Sequence, residues 1–437
     1  MTESLIGLVV LLALVFARVP IAFAMALVGG VGFAWMRGIE PAGAMVGATV
    51  FETGFSYSLS VVPLFIFMGN VLANSGIAQG LFAGADRLFG RMRGGLALAT
   101  VLSCGGFSAV SGSSLATAAT MSRVAMPPMR KFGYADSLAA GSIAAGGTLG
   151  ILIPPSVIMI IYGLLTETDI GKLFIAGLIP GAIGVLLYLM AVVVAVRINP
   201  KLAPPVTTPA RMSRRDVGGV LGTLALFAFI MFGIYGGFFT PIEAAGMGAI
   251  FSLVLALAMR GLDVASFRAA CRDTVISSAM IFAIIIGAEI FSAFVNYAGL
   301  PDGLVDLIYD FDISPWAVIG IIVVIYLVMG CVFESLSMIL VTVPVFYPIV
   351  SQLDFGPGPL GDPESILIWF AVVVVVVTEI SLITPPVGMN VFVLRATLPG
   401  IPLRTIFRGI LPFWIADLVP LSLLVALPML SLWLVSG

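Results

Sequence analysis

The residues best placed to do chemistry in this chain are oxygens rather than acids or bases. Two apolar stretches are each broken by a proline pair, within Gly150-Ile151-Leu152-Ile153-Pro154-Pro155-Ser156 and Ser381-Leu382-Ile383-Thr384-Pro385-Pro386-Val387-Gly388. Each is preceded by a second interruption, Ser108-Ala109-Val110-Ser111-Gly112-Ser113-Ser114 and Gly330-Cys331-Val332-Phe333-Glu334-Ser335-Leu336-Ser337. Proline has no N–H and clashes with the preceding turn, so the first pair frees carbonyls around 150–153. With the hydroxyls of the 108–114 tip opposite, at mid-membrane depth, those carbonyls form an oxygen cage suited to a hard cation such as Na⁺. A second cage joins Gly330 and its tip to Ser381, Thr384 and Val387. One such break reads equally well as a simple kink with packed serines. The duplication of tip plus break favours the cages.

Five acids, Glu243, Glu289, Glu334, Glu379 and Asp417, sit in or beside apolar stretches, where a charge costs roughly 2.5–3.5 kcal/mol. Glu334, at the second tip, either tunes the cation site or is a hydrogen-bonded structural carboxylate. Glu243 follows Pro241 and reads as a first-turn helix carboxylate. Arg395 is expected to snorkel to the cytoplasmic face rather than bind substrate. No intramembrane Arg stands out as a clamp for a carboxylate, so an anionic substrate would be held by Na⁺, hydroxyls and amides. Ser113, Ser156, Ser335 and Asn390 are the candidate substrate ligands. The chain has no histidine, which removes His-based triads, His metal sites and the usual proton shuttle. A protease reading of 111–114 lacks the base such a serine needs. Cys104, Cys271 and Cys331 are scattered and read as packing residues.

Composition says what must position these groups. Of 437 residues, 60% are hydrophobic and 10% charged, with mean hydropathy +1.19 and net charge −2. A soluble domain is roughly 45–50% apolar and about 25% charged. The chain is therefore a polytopic membrane protein, not a soluble enzyme or a nucleic-acid binder. The start lacks the basic segment of a cleaved signal, so the first apolar stretch is expected to stay. A span needs about 20 apolar residues. Full-length candidates are 173–196, 217–236, 244–259, 274–294 and 410–434, with shorter ones at 5–17, 21–35 and 59–73.

An internal repeat follows. Val19-Pro20-Ile21 returns as Thr240-Pro241-Ile242, 221 residues on, Gly76-Ile77 as Gly299-Leu300 after 223, and Pro154-Pro155 as Pro385-Pro386 after 231. Matches in order with slowly drifting offsets are strong evidence of duplication. Equivalent loops reverse charge: +2 in 76–94 against −4 in 299–313, +3 in 123–133 against −3 in 352–365, and −1 in 166–172 against +3 in 394–408. Under the positive-inside rule the halves lie upside down relative to each other. The 197–215 joining segment, with five positive charges and no acid, is expected in the cytoplasm, and both termini outside. The expected fold is an all-α polytopic membrane protein with inverted-topology repeats, two re-entrant hairpins and two broken helices. Repeat one is 1–196: scaffold 1–75, arm 76–94, hairpin and broken helix 95–165, closing helix 171–196. A cytoplasmic linker, 197–216, leads to repeat two, 217–437: scaffold 217–297, arm 299–313, hairpin and broken helix 314–398, closing helix 409–435.

The chain resembles the large membrane subunit of tripartite ATP-independent periplasmic (TRAP) transporters, a family known for dicarboxylate and sialic-acid uptake. The resemblance spans essentially the whole sequence. It is most specific at Ser111-Gly112-Ser113-Ser114, Gly147-Thr148-Leu149-Gly150-Ile151-Leu152-Ile153-Pro154-Pro155-Ser156, Thr240-Pro241-Ile242-Glu243-Ala244-Ala245 and Ile383-Thr384-Pro385-Pro386-Val387-Gly388. It implies an elevator-type transporter in the bacterial inner membrane, with Na⁺ as coupling ion and no other cofactor. It also implies a small four-helix membrane subunit and a periplasmic substrate-binding protein, neither fused here, and a small organic anion as substrate. Carried across by motif, one Na⁺ site uses Ser108, Ser111, Gly150, Ile153 and Pro154. The other uses Gly330, Ser381, Thr384 and Val387, with Ser381 standing where the family often has Gly. The main rival is a stand-alone Na⁺/carboxylate symporter of related architecture. A passive channel is a lesser one.

Overall fold

The computed structural model describes residues 2–204, 212–331 and 333–435. Residues 205–211, the middle of the 197–216 linker, lie outside them. The first half forms α1 (Thr2–Phe16), α2 (Ile21–Arg37), α3 (Ile39–Gly54), α4 (Val61–Asn74), α5 (Ile77–Phe89), α6 (Gly95–Ser111), α7 (Ser114–Lys131), α8 (Asp136–Thr148), α9 (Val157–Thr166) and α10 (Ile170–Ile198). The second forms α11 (Arg214–Tyr235), α12 (Pro241–Ala258), α13 (Val264–Tyr297), α14 (Leu300–Asp310), α15 (Pro315–Gly330), α16 (Ser335–Val350), α17 (Pro363–Ser381), α18 (Met389–Thr397), α19 (Leu403–Ala426) and α20 (Met429–Leu432). No strand occurs among the described residues. Among the described residues, six helices are by themselves long and apolar enough to cross a membrane.

Local chemistry explains most boundaries. The arms α5 and α14 each start after a glycine in the left-handed region, Gly76 (φ 83°) and Gly299 (φ 67°), a conformation that costs a side chain energy but glycine little. Ser113, Ser156, Asp169, Thr240, Ser314 and Asp362 cap the helices that follow them through their side chains, each satisfying an N–H that the helix leaves unpaired. At Thr240 the cap is reciprocal: Glu243 Oε2 accepts from Thr240 N at 2.8 Å. Glu243 is therefore the first-turn carboxylate that its position after Pro241 suggests.

Several expectations need correction. Helix α3 was not expected: Gly43, Gly47 and Gly54 and the acids Glu40 and Glu52 dilute its apolar pattern. It meets α4 at a bend of 53°, whereas its counterpart α13 is a single helix of 34 residues. The final span ends at Ala426 rather than 434, and Pro428 opens the short α20. The hairpin tips are also tighter than the sequence suggests. Helix α6 runs through Ser111, leaving Gly112 and Ser113 outside helices, and α16 already includes Ser335 and Ser337. Arg395 Nη1 donates to Pro399 O at 2.5 Å and Ile401 O at 2.7 Å, pinning the turn after α18.

The helices pack in two groups that also meet, above all where α5 lies along α6. In one, α2 lies along α13, α4 against α12 and α13, and α11 against α5 and α12. Backbones come close there: a Cβ on Gly29 would lie 2.6 Å from Ile290 O, the small-residue packing that membrane helices favour. In the other, α6 to α10 and α15 to α19 interleave. Helix α18 packs on α7 and α8, while α9 packs on α16 and α17, so the distal half of each broken helix rests on the opposite repeat's hairpin or broken helix. The closing helices α10 and α19 belong to this second body, since α19 packs along α8 and α10 against α6 and α17.

Charged loops gather at the two ends of α10, about 43 Å apart for its 29 residues. At one end Arg93 bonds Pro200 O and Ala203 O, and Ala135 N donates to Leu202 O. At the other, Lys172 pairs with Glu364 at 2.6 Å.

Candidate functional site

In both repeats the hairpin tip touches the break of its own broken helix. A Cβ on Gly150 would lie 2.8 Å from Ser113 C and 2.9 Å from Ser113 O and Ser114 N, and one on Gly112 would lie 2.9 Å from Pro155 O. Only hydrogens at Gly112 and Gly150 permit this approach. In the second repeat a Cβ on Gly330 would collide with Ser381 Cβ and Oγ. Cys331 Sγ also donates to Pro385 O at 3.4 Å. The structure thus brings Ser111, Ser113 and Gly150 into one neighbourhood, and Gly330, Ser381 and Thr384 into another.

The carbonyls that the proline pairs would free are largely taken up by other donors in both breaks. Gly150 O and Ile151 O would bond the N–H groups of residues 154 and 155, which both prolines lack. The Ser156 hydroxyl takes up Ile151 O at 2.5 Å and accepts from Met159 N at 3.3 Å. Ser156 is thus committed to the break itself rather than aimed at a ligand. In the second break Thr384 N donates to Ser381 O at 3.1 Å and Asn390 N to Leu382 O at 3.1 Å. Thr384 Oγ1 donates to Ile380 O at 2.7 Å and accepts from Trp414 Nε1 at 2.9 Å.

Hydroxyls of the first tip form a short chain. Ser111 Oγ lies 2.8 Å from Thr117 Oγ1, which donates to Ser113 O at 2.8 Å. Ser113 Oγ caps α7, accepting from Ala116 N at 3.4 Å. Ser335 is buried at the start of α16, and Ser337 Oγ donates to Glu334 Oε2 at 3.4 Å. Asn390 bridges the repeats, its Nδ2 donating to Ala144 O at 3.0 Å. Among the described residues, the buried oxygens Ser108 Oγ, Thr378 Oγ1 and Asn390 Oδ1 near the breaks have no hydrogen-bond partner, as is also so for Ser4 Oγ and Ser278 Oγ elsewhere. Buried polar atoms are nearly always paired, and unpaired oxygens beside the breaks fit a hard cation or an amide donor. No cluster of His, Cys, Asp or Glu suited to a metal occurs among the described residues.

One tie lies between the two breaks. Thr148 Oγ1 lies 2.9 Å from Glu379 Oε1 and 3.0 Å from Tyr188 OH, and Tyr188 OH donates to Asp417 Oδ2 at 2.7 Å. All four side chains are buried, and they join α8, α10, α17 and α19. Thr148 and Glu379 are repeat equivalents 231 residues apart, and Tyr188 and Asp417 are 229 apart. Sequence reasoning flagged both acids but missed Thr148, Tyr188 and Thr117. The 231-residue offset of the proline pairs already set Thr148 opposite Glu379 and was the available signal. The first tip also touches the neighbouring body, because a Cβ on Gly69 of α4 would lie 2.8 Å from Ser111 O.

Comparison with known proteins agrees with this architecture. A solved structure described as that of the Alcanivorax borkumensis YdaH transporter, with an unusual topology, superposes at a TM-score of 0.64 with 17% identity, covering 92% of this chain and 89% of that one. That likeness concerns the fold. The chain is 35% identical over 388 residues to the C4-dicarboxylate TRAP transporter large permease protein DctM of Pseudomonas aeruginosa, covering 88% of this chain and 87% of that protein. It is 30% identical over 429 residues to the sialic acid TRAP transporter large permease protein SiaM of Vibrio cholerae, covering 97% and 96%. It is 32% identical over 380 residues to the ectoine/5-hydroxyectoine large permease protein UehC of Ruegeria pomeroyi, covering 86% of each. These relatives are transporter permeases, not enzymes. The family model for the DctM component of tripartite ATP-independent periplasmic transporters matches residues 8–430, and the chain therefore belongs to this family of large TRAP permease subunits.

Proposed function

We propose that this subunit imports a small organic acid, coupled to Na⁺, by an elevator movement of the body formed by α6 to α10 and α15 to α19. The observation that carries the reading is the duplicated contact of hairpin tip and proline break, Gly150 on Ser113 and Gly330 on Ser381, with unpaired buried oxygens beside it. Ser108, Ser111, Gly150, Ile153 and Pro154 would supply one Na⁺ site, and Gly330, Ser381, Thr384 and Val387 the other. The substrate would lie between them, with the unpaired Asn390 Oδ1 the best placed of the amide and hydroxyl candidates. The arms, entered through Gly76 and Gly299, suit hinged links between a fixed scaffold and a moving core. The names of the relatives point to organic acids, C4-dicarboxylates and sialic acid among them.

In this reading a small four-helix subunit flanks the scaffold and a periplasmic binding protein delivers the substrate. The protein sits in the bacterial inner membrane with both termini periplasmic. The test is uptake by the complex reconstituted in proteoliposomes, screened over labelled organic acids. Uptake should need an inward Na⁺ gradient and rise sigmoidally with Na⁺. Equal uptake in K⁺ driven by a proton gradient would overturn the coupling. Flux without any gradient would point to a channel, and full activity without the two partners to a stand-alone symporter.

A further inference from the structure

A cavity of about 1130 Å³ opens where the start of α8, the end of α10 and the start of α19 meet. It lies at one end of the group formed by α6 to α10 and α15 to α19, and no residue of either proline break lines it. Its polar wall carries Arg404 and Arg408 with Ser137, Asn199 and Thr405, and no acid lines it. Neither arginine forms an ion pair among the described residues, and the nearby acid Asp136 is engaged by Arg130 at 2.9 Å. Two uncompensated guanidinium groups in one concavity make a site for an anion with several oxygens, which the fork of an arginine binds in bidentate fashion. The first turn of α19, a helix of 24 residues, adds unpaired N–H groups and the positive end of its dipole.

The apolar surroundings say which anion. Leu411 and Pro412 form the membrane-side wall. From there a stripe of exposed apolar side chains, Leu411, Ile415 and Val419 (55%, 55% and 44% exposed), descends α19 at intervals of four residues. A second stripe on α10, Val194, Met190 and Leu186 (50%, 59% and 60% exposed), starts beside Ala195, which lines the cavity. From Arg408 to Val419 the helix rises about 16 Å, close to half of a hydrocarbon core near 30 Å. A polar socket at headgroup level above two apolar tracks of one-leaflet depth matches a double-chain amphiphile.

We propose that this cavity binds an anionic phospholipid, Arg404 and Arg408 holding the phosphate while the acyl chains lie along α10 and α19. Basic pockets between transmembrane helices take such headgroups elsewhere. The lipid would tie α8, α10 and α19 together at the end of the core where the cationic loops gather. The site is independent of Na⁺ coupling and of the transported acid.

The test is native mass spectrometry of the full chain in detergent, titrated with phosphatidylglycerol, phosphatidylcholine or inorganic phosphate. One phosphatidylglycerol should bind preferentially, and Arg404→Gln/Arg408→Gln should weaken that binding about tenfold or more. Arg404→Lys/Arg408→Lys should retain part of it, and Arg18→Gln, at the distant α1–α2 turn, should leave it unchanged. If the double glutamine variant does not fold, Arg408→Gln alone should still weaken binding measurably. Equal binding of phosphatidylcholine, displacement by inorganic phosphate at similar concentration, or undiminished binding in the arginine variants would each overturn the proposal.

Discussion

Replacing Gly330 by Ala isolates the contact on which the second cage depends. The new Cβ would overlap Ser381 Cβ and Oγ, while the next nearest atom, Met338 Sδ, lies at an ordinary 3.4 Å. Carbon atoms rest about 3.5–4.0 Å apart, so the hairpin tip must retreat or Ser381 must move. Ser381 has little freedom, being 1% exposed with its Oγ bonded to Thr378 O at 2.7 Å. Overpacking of this kind costs about 1–3 kcal/mol, which is about a 5–150-fold shift in the equilibrium that closes tip on break. Alanine is the better helix former, so a loss cannot come from propensity at the end of α15. The substitution leaves every backbone carbonyl in place. The Na⁺ concentration giving half-maximal uptake in proteoliposomes should therefore rise by about that factor. Ser381→Gly removes both clashing atoms, so the pair Gly330→Ala/Ser381→Gly should return to the level of Ser381→Gly alone, which loses about 1 kcal/mol through helix propensity and one hydrogen bond. A double-mutant cycle then yields a coupling of about the full clash. A double variant no better than Gly330→Ala alone would refute the packing argument.

At the first cage, Gly150→Ala meets backbone atoms of Ser113 and Ser114, so it should weaken Na⁺-dependent uptake in a way that no side-chain change at 113 or 114 restores; rescue by Ser113→Gly would contradict this. Tyr188→Phe removes the hydroxyl linking Thr148 to Asp417 and should lower stability by about 1–3 kcal/mol, seen as a lower melting temperature in detergent; an unchanged melt would show that the tie is not structural. Asp362 is held below the usual carboxylate range by hydrogen bonds from Ser365, so its capping contribution is present above about pH 3.9 and lost as pH falls through the lowered value. Asp362→Ala should accordingly cost about 0.5–2 kcal/mol at neutral pH, with the deficit closing on acidification in a pH series of melts. In a background without Cys104, Cys271 and Cys331, Lys201→Cys and Gly358→Cys should react with impermeant maleimide only from opposite sides of the membrane; labelling of both from one side would refute the inverted repeat.

What the sequence determined by itself is whatever depends on covalent chemistry and on the bilayer as solvent. Proline lacks an N–H wherever it stands, so the breaks at Pro154-Pro155 and Pro385-Pro386 were legible without a fold. Loop charge and the offset between repeats are equally local facts, and the expectation of inverted repeats rests on them, while the absence of histidine bears on the chemistry. The tips were legible only as to existence. Whether Ser108 and Ser111 sit in a loop or on α6 depends on what packs around them, and the structure keeps both helical. Helix α3 escaped because its glycines and acids blur the apolar pattern, while its place is set by packing on α2 and α13. Tertiary structure alone decided the contacts made across hundreds of residues: Gly330 against Ser381, Asn390 reaching Ala144, and Glu379 joined to Asp417 through Thr148 and Tyr188. Such contacts need two backbones brought within van der Waals distance, and that distance is set by the packing of every helix between them. It likewise set Arg404 and Arg408 beside the end of α10, where no reading of either segment alone would have placed a shared cavity.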